Sequence, residues 1–134
     1  NWSDLKNKTF DSDNVITDSS FGVDSDNVVI SGKMSEASRY IHSQNLKTIT
    51  IDSTMGEVSV YLDGAKAAGD KVIMNVNTSM CDVNVYIPSD WQVENNMQNS
   101  LSDVDIDHSK GTGTKLILQG RNTMGDLTVK HVKD

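Results

Sequence analysis

The chain has 134 residues, the size of one ordinary domain, and a net charge of −7 at neutral pH. Nucleic acid and anionic lipid surfaces repel an acidic chain, so neither is expected as its main partner. The single cysteine, Cys81, excludes an intrachain disulfide, and the short aliphatic runs argue against a membrane-spanning segment.

The N-terminal part is the least regular. Residues 1–14 are expected to be a poorly structured lead-in, in which Trp2 is a candidate interaction residue. The chain starts at Asn1 and lacks a charged segment followed by an apolar stretch. We therefore expect a processed or excised piece of a longer protein, with any anchor outside this sequence.

Two features are predicted between residues 15 and 45. A first, loosely spaced repeat has its corner at Phe21 and Gly22, with Val28 and Ile30 on the strand that follows. Between residues 34 and 45, apolar side chains at helical spacing favour one short helix. An extended edge strand is the alternative.

Four later segments share one pattern, at residues 48–62, 73–87, 94–107 and 117–130. In each, alternating apolar residues surround a corner residue, which is followed by a small residue and then an acid. The corner residues are Met55, Met80, Leu101 and Met124, which lie 25, 21 and 23 residues apart. The small residues are Gly56, Cys81, Ser102 and Gly125, and the acids are Glu57, Asp82, Asp103 and Asp126.

Apolar residues alternate after every corner, as in Val58, Val60 and Leu62, which is typical of a half-buried strand. Units of this size cannot bury an apolar face alone and are expected to stack. The sequence therefore predicts one all-β domain over residues 1–134, a β-solenoid or β-roll of about four to five two-stranded rungs spanning about residues 15–132. The corner side chains are expected to point into the shared dry core.

Residues 88–91 follow the second of these units. Pro88 cannot donate to a sheet and should end the strand that finishes at Ile87. Asp90 and Trp91 are candidate interaction residues, although a tryptophan that covers the open end of the core is the more common case.

No catalytic, cofactor-binding or metal-binding residue is predicted. Asp103, Asp105 and Asp107 alternate with apolar residues and lack the glycine and glutamate of a calcium loop, which is typical of a solvated strand face. Cys81 fills a structural position after a corner, and His42, His108 and His131 are interpreted as separate surface imidazoles. A non-enzymatic role is expected, and a small hydrolase assembled from dispersed Asp and His side chains is an alternative.

Residues 54–93 resemble the C-terminal domain of LiaF-like cell-wall-active antibiotic response proteins. That family has glycine-containing corners in successive rungs, a leucine strand with an alanine-bearing turn, and a Pro-x-x-Trp-x-Val segment. These features are similar to residues 55–57, 62–65 and 88–93, although methionine or leucine replaces the family's phenylalanine and an acid replaces the second glycine.

The resemblance implies a β-solenoid-like domain of a bacterial envelope protein with N-terminal membrane helices. It implies a noncatalytic regulatory or binding role in the cell-envelope stress response, with a membrane histidine kinase or another envelope protein as partner. The soluble domain is then expected to be membrane-associated and extracytoplasmic, and a homo-oligomer remains open. The alternative is an exported, adhesin-like domain that binds a glycan or a host protein without a signalling role.

Overall fold

A computed structural model of the chain describes residues 24–33, 36–108 and 111–132. The strands are β1 (Asn27–Lys33), β2 (Ala37–Tyr40), β3 (Thr48–Tyr61), β4 (Lys71–Ile87), β5 (Gln92–Ser100), β6 (Val104–Ile106), β7 (Lys115–Thr123) and β8 (Leu127–His131). Strands and loops account for all of these described residues, which confirms the predicted all-β class.

All strand pairs are parallel, and the strands stack as a β-solenoid, as predicted. β1 and β2 pair with the two halves of β3, and β3 pairs along its length with β4. β7 and β8 pair with the two halves of β4, and β5 and β6 lie outside β7 and β8. In the layers of β3 and β4 one strand runs through the corner, whereas each of the last two layers holds one strand before the corner and one after it.

The stacking order differs from the chain order in the last two layers. From β4, the short connection at residues 88–91 takes the chain to β5 and β6 at the end of the stack. The chain then turns back, and β7 and β8 insert between that end layer and β4. The C-terminal segment is therefore an interior layer.

The core consists of the inward-facing residues of each layer. In β4, Val72, Met74 and Val76 alternate with outward residues before the corner, as do Val83 and Val85 after it, and all five are at most 1% exposed. β-branched side chains favour this extended, half-buried geometry. The connecting segments close the third side of the coil with Leu46, Leu62 and Trp91.

The predicted orientation of the four corner side chains is wrong. Met55, Met80, Leu101 and Met124 have φ values of 69°, 53°, 56° and 58°, and their side chains are 57%, 50%, 81% and 51% exposed. A left-handed residue interrupts the alternation of the strand and turns its own side chain outward. Residues on either side, such as Thr78 and Cys81, face the interior instead.

Two expectations for the N-terminal part also require correction. Residues 37–40 form β2 rather than a helix, because they pair with Val58 to Tyr61 of β3. Val28 and Ile30 pair with Ile49 and Ile51, so they lie on the strand before a corner and not after one. Trp2, the Phe21 corner and most of the predicted first repeat lie outside the described residues.

Candidate functional site: the corner ridge and the acidic row

The four corner side chains form one line across four adjacent layers, which we call the corner ridge (Met55, Met80, Met124 and Leu101). The register of the preceding residues sets this line, since Thr54 pairs with Ser79, Ser79 with Thr123, and Thr123 with Ser100. Neighbouring strands lie about 4.8 Å apart, so the ridge is about 14 Å long. It is a narrow apolar stripe on the outside of the solenoid.

Buried polar groups support the corners from inside. Ser53, Thr78 and Asn122 face the interior just before their corners and are at most 3% exposed. The Thr78 hydroxyl donates to Asn122 Oδ1 (3.0 Å), and Asn122 Nδ2 donates to the carbonyl of Gly125 (2.8 Å). The Asn122 amide therefore spans the corner at Met124 and holds the turn without any contribution from the methionine side chain.

Neither the turn nor the core requires a large apolar residue at these corners. A left-handed conformation costs an ordinary L-residue about 1–2 kcal/mol, whereas glycine adopts it readily and asparagine tolerates it. Strained residues that persist often cluster at functional sites, and contiguous exposed apolar side chains commonly mark binding surfaces. The corner ridge combines both features in four layers.

An acidic row runs beside the ridge, two residues later in each layer, and consists of Glu57, Asp82, Asp126 and Asp103. Some of these carboxylates also tie layers together. Asp82 Oδ1 accepts the backbone N–H of Asp126 (2.9 Å), and Asp126 Oδ1 accepts the backbone N–H of Asp103 (3.3 Å). Because the three aspartates are exposed, their charges remain available to a partner.

Close packing explains why a small residue lies between the ridge and the row in the layer of Gly125. A Cβ atom added to Gly125 would lie 2.1 Å from the carbonyl oxygen of Cys81, so this layer accepts glycine alone without a backbone shift. Cys81 is buried, and desolvation raises the pKa of its thiol above the ordinary value. A buried thiol kept protonated is a poor nucleophile, in agreement with a structural role.

A second outer surface carries stacked tyrosines. The rings of Tyr40, Tyr61 and Tyr86 lie 4.6 Å and 4.7 Å apart between centroids, with 9° between ring planes. Burial, followed by the two neighbouring phenols, raises the pKa of Tyr61 above its ordinary value. The stack joins three adjacent layers and is accounted for by cross-strand pairing.

An open polar groove lies on the other side of the corners, over Gly120. Its volume is 430 Å³, and its lining includes Asn77, Asn96, Gln98 and Arg121. Gly120 has a φ of +115°, and a Cβ atom there would lie 2.0 Å from the carbonyl oxygen of Val76. The groove is thus an indentation in an outer face, lined by three amide side chains, one guanidinium, Val76 and Gly120.

The predicted interaction residues Asp90 and Trp91 lie apart from the ridge. Trp91 is 4% exposed and belongs to the core, so its side chain is no surface anchor. Asp90 is exposed, and its backbone carbonyl accepts the N–H of Gly113 at 2.8 Å.

His131 is not the surface imidazole predicted from the sequence. Its side chain is 12% exposed, with Nε2 2.8 Å from the carbonyl oxygen of Trp91. Its backbone N–H donates to Asp107 Oδ2 (3.1 Å), and its Nδ1 lies 3.7 Å from the same oxygen. These contacts join the last strand to the connection after β4 and to the end layer.

Within the described ranges, no group of three or more His, Cys, Asp or Glu side chains is placed to hold a metal ion. The same residues include no helix with the length and apolarity needed to cross a membrane.

The exposure of the ridge was missed because an apolar residue at a fixed repeat position resembles a core position. One signal was present at residues 124–126, where glycine and aspartate follow the methionine. Glycine and aspartate favour turns, and a side chain at the tip of a turn faces solvent.

Comparisons of the chain with protein-family models, with curated proteins and with solved structures found no match.

Proposed function

We propose that this chain is a noncatalytic binding module that holds a partner protein along the corner ridge. The main observation behind this proposal is a line of four large apolar side chains at left-handed corners. Each of these side chains is at least 50% exposed. Apolar area buried against a partner contributes about 25 cal/mol per Å², which would offset the local cost of this arrangement in the complex. The parallel layers beneath the ridge hold its side chains at fixed spacing.

The resemblance of residues 54–93 to LiaF-like proteins supports a cellular location and a role for this binding. Within this proposal the chain is the extracytoplasmic part of a bacterial membrane protein and regulates a cell-envelope stress response. Its partner is a membrane histidine kinase or another envelope protein. Regulation follows from occupancy of the ridge, since binding to one state of a partner shifts that partner's conformational equilibrium.

A cellular experiment tests this role. In the full-length protein of the source bacterium, Met55→Asn, Met80→Asn and Met124→Asn are combined, because asparagine suits the left-handed corner and removes the apolar side chain. With an envelope-stress reporter and a cell-wall antibiotic, we expect this variant to reproduce the phenotype of the gene deletion. Val29→Ser, which removes an exposed apolar side chain away from the ridge, is the matched control and should behave as wild type.

Photo-crosslinking tests contact directly. With p-benzoylphenylalanine in place of Leu101 we expect a cross-linked envelope protein, and in place of Asn75, on the outer face of β4, none. Equal cross-linking from both positions, or from neither, would contradict the proposal.

The groove over Gly120 favours the second candidate function, an exported adhesin-like domain. Its volume lies within the usual range of ligand sites, about 300–1,000 Å³, and amide and guanidinium groups suit a hydroxyl-rich glycan. On a glycan array, binding that is lost in Arg121→Ala and retained in the ridge variant would favour this function over the first.

A further inference from the structure

We infer that the segment bound along the corner ridge is an amphipathic helix whose apolar stripe is flanked by lysine or arginine. This inference rests on the proposed function and adds the chemistry and shape of the partner. It draws on two features: the spacing of the ridge and the charge beside it.

The spacing of the ridge matches a helix better than an extended strand. Four ridge side chains span three layer intervals, or about 14 Å. On a helix, residues i, i+4, i+7 and i+11 lie along one face over about 16 Å. Four residues on one face of an extended strand span about 20 Å. A helix laid along the stacking axis therefore brings four apolar side chains against the ridge nearly in register.

The acidic row determines the charge on one flank of that helix. Glu57, Asp82, Asp126 and Asp103 follow the ridge in the same four layers, so residues beside the apolar stripe of a bound helix lie over carboxylates. Opposite charges across an interface favour the correct partner and speed association. Asp82 and Asp126 use Oδ1 for the bonds between layers, and both side chains remain exposed.

The same charges argue against other occupants. A second copy docked ridge to ridge would bring its own acidic row close to this one, and like charges that face each other cost several kcal/mol. An anionic lipid surface is repelled for the same reason. Methionine side chains are flexible and polarizable, and methionine-rich surfaces accommodate the apolar stripes of helices.

Binding of designed peptides to the purified chain tests the inference. The first labelled peptide is helical, about 14 residues long, with leucine at i, i+4, i+7 and i+11 and lysine on one flank of the leucine stripe. The second has the same composition in an order without a stripe, and the third has glutamate in place of lysine. By fluorescence anisotropy we expect micromolar affinity for the first peptide and at least tenfold weaker binding of the other two.

Variants of the chain assign the binding to the ridge and the row. The triple asparagine variant of Met55, Met80 and Met124 should bind the first peptide at least tenfold more weakly. Its thermal unfolding midpoint should equal or exceed that of the wild type, which separates lost binding from lost folding. Combined Glu57→Gln and Asp103→Asn should reduce the salt dependence of binding, and Val29→Ser should have no effect.

Three outcomes would overturn the inference: equal binding of the striped and unstriped peptides, unchanged binding by the triple variant, or ridge-dependent binding to phosphatidylcholine vesicles in place of the peptide. If Leu101 cross-links to an envelope protein but the striped peptide does not bind, the inference that the bound segment is a helix is refuted. The proposed function then still stands. Failure of both experiments refutes both.

Discussion

At the scale of single residues, the corner methionines show how one backbone angle decides the role of a side chain. Met74 and Met80 lie on the same strand, yet Met74 is fully buried and Met80 is half exposed. The difference follows from the φ of 53° at Met80, which interrupts the inward and outward alternation. Met80 is therefore expected to matter for binding and Met74 for stability.

Substitutions at these two methionines should have opposite effects on the free energy of unfolding. Met74→Ala removes buried volume from the core and should cost about 2–5 kcal/mol. Met80→Gly relieves the left-handed strain but makes the unfolded chain more flexible, so it should change stability by less than about 1 kcal/mol, with stabilisation favoured. Urea unfolding measures both, and similar losses from the two variants would contradict the outward orientation of Met80.

Asp107 should make stability depend on pH. The hydrogen bond from the backbone N–H of His131 is the main cause that lowers the pKa of Asp107, aided by the charges of His131 and Lys130. A carboxyl whose pKa is lower in the folded state stabilises the protein above its unfolded pKa, and this contribution disappears as pH falls through the folded value.

The stability difference between wild type and Asp107→Asn should therefore be smaller below about pH 4 than at about pH 5. Denaturant titrations across this range measure it. A difference that grows toward acid pH would contradict this assignment.

At the scale of elements, period-two patterns predicted the strands of the inner layers well because each of these strands has one buried face, whereas β5 and β6 of the end layer contain no buried residue. Val83 and Val85 and their counterparts in β3 and β8 lie inside, as the alternation indicated. Two things resisted prediction. The side-chain direction at the corners depends on a single φ, and β2 is a short strand whose pairing with β3 outweighs the helical spacing of its apolar residues.

Buried polar residues precede three of the four corners, and Asn122 makes the hydrogen bonds that span one of them. Asn122→Ala would remove the donor to the Gly125 carbonyl and the acceptor of the Thr78 hydroxyl, leaving both groups without these bonds. Since an unsatisfied buried polar group costs about 1–3 kcal/mol, the loss of stability should be about 2–4 kcal/mol.

Asn99 is the matched control for this change, because it pairs with Asn122 in register but is exposed in the end layer. Asn99→Ala should change stability by no more than about 0.5 kcal/mol. Differential scanning calorimetry compares the unfolding temperatures of the two variants. Equal shifts of the unfolding temperature would show that the Asn122 hydrogen bonds do not stabilise the fold.

At the scale of the whole molecule, the order of the layers is set by which of them can face solvent. The register places Asn95 of β5 opposite the buried Leu118 of β7, so an exposed polar residue takes the place that an apolar residue holds in the inner layers. Asn95 Oδ1 also accepts the N–H of Met97, and Glu94, Asp103, Asp105 and Asp107 place charge along this layer. These features suit a capping layer and oppose association of sheet edges. The polar and charged residues of this layer are visible in the sequence. The order of the layers could not be predicted, because all repeats share the pattern from which the stack was predicted.

The inserted last layer predicts how the molecule assembles. Among the described strands, β5 pairs with β7 alone and β6 with β8 alone. A chain that ends at His108 lacks both partners. We expect hydrogen exchange of this shortened chain to show protected amides in β3 and none in residues 92–106. Adding a peptide of residues 111–134 should restore protection in both β5 and β6, because the peptide supplies the missing interior layer. Protection of residues 92–106 without the peptide would mean that β5 and β6 pair directly with β4, and the layer order would then follow the chain.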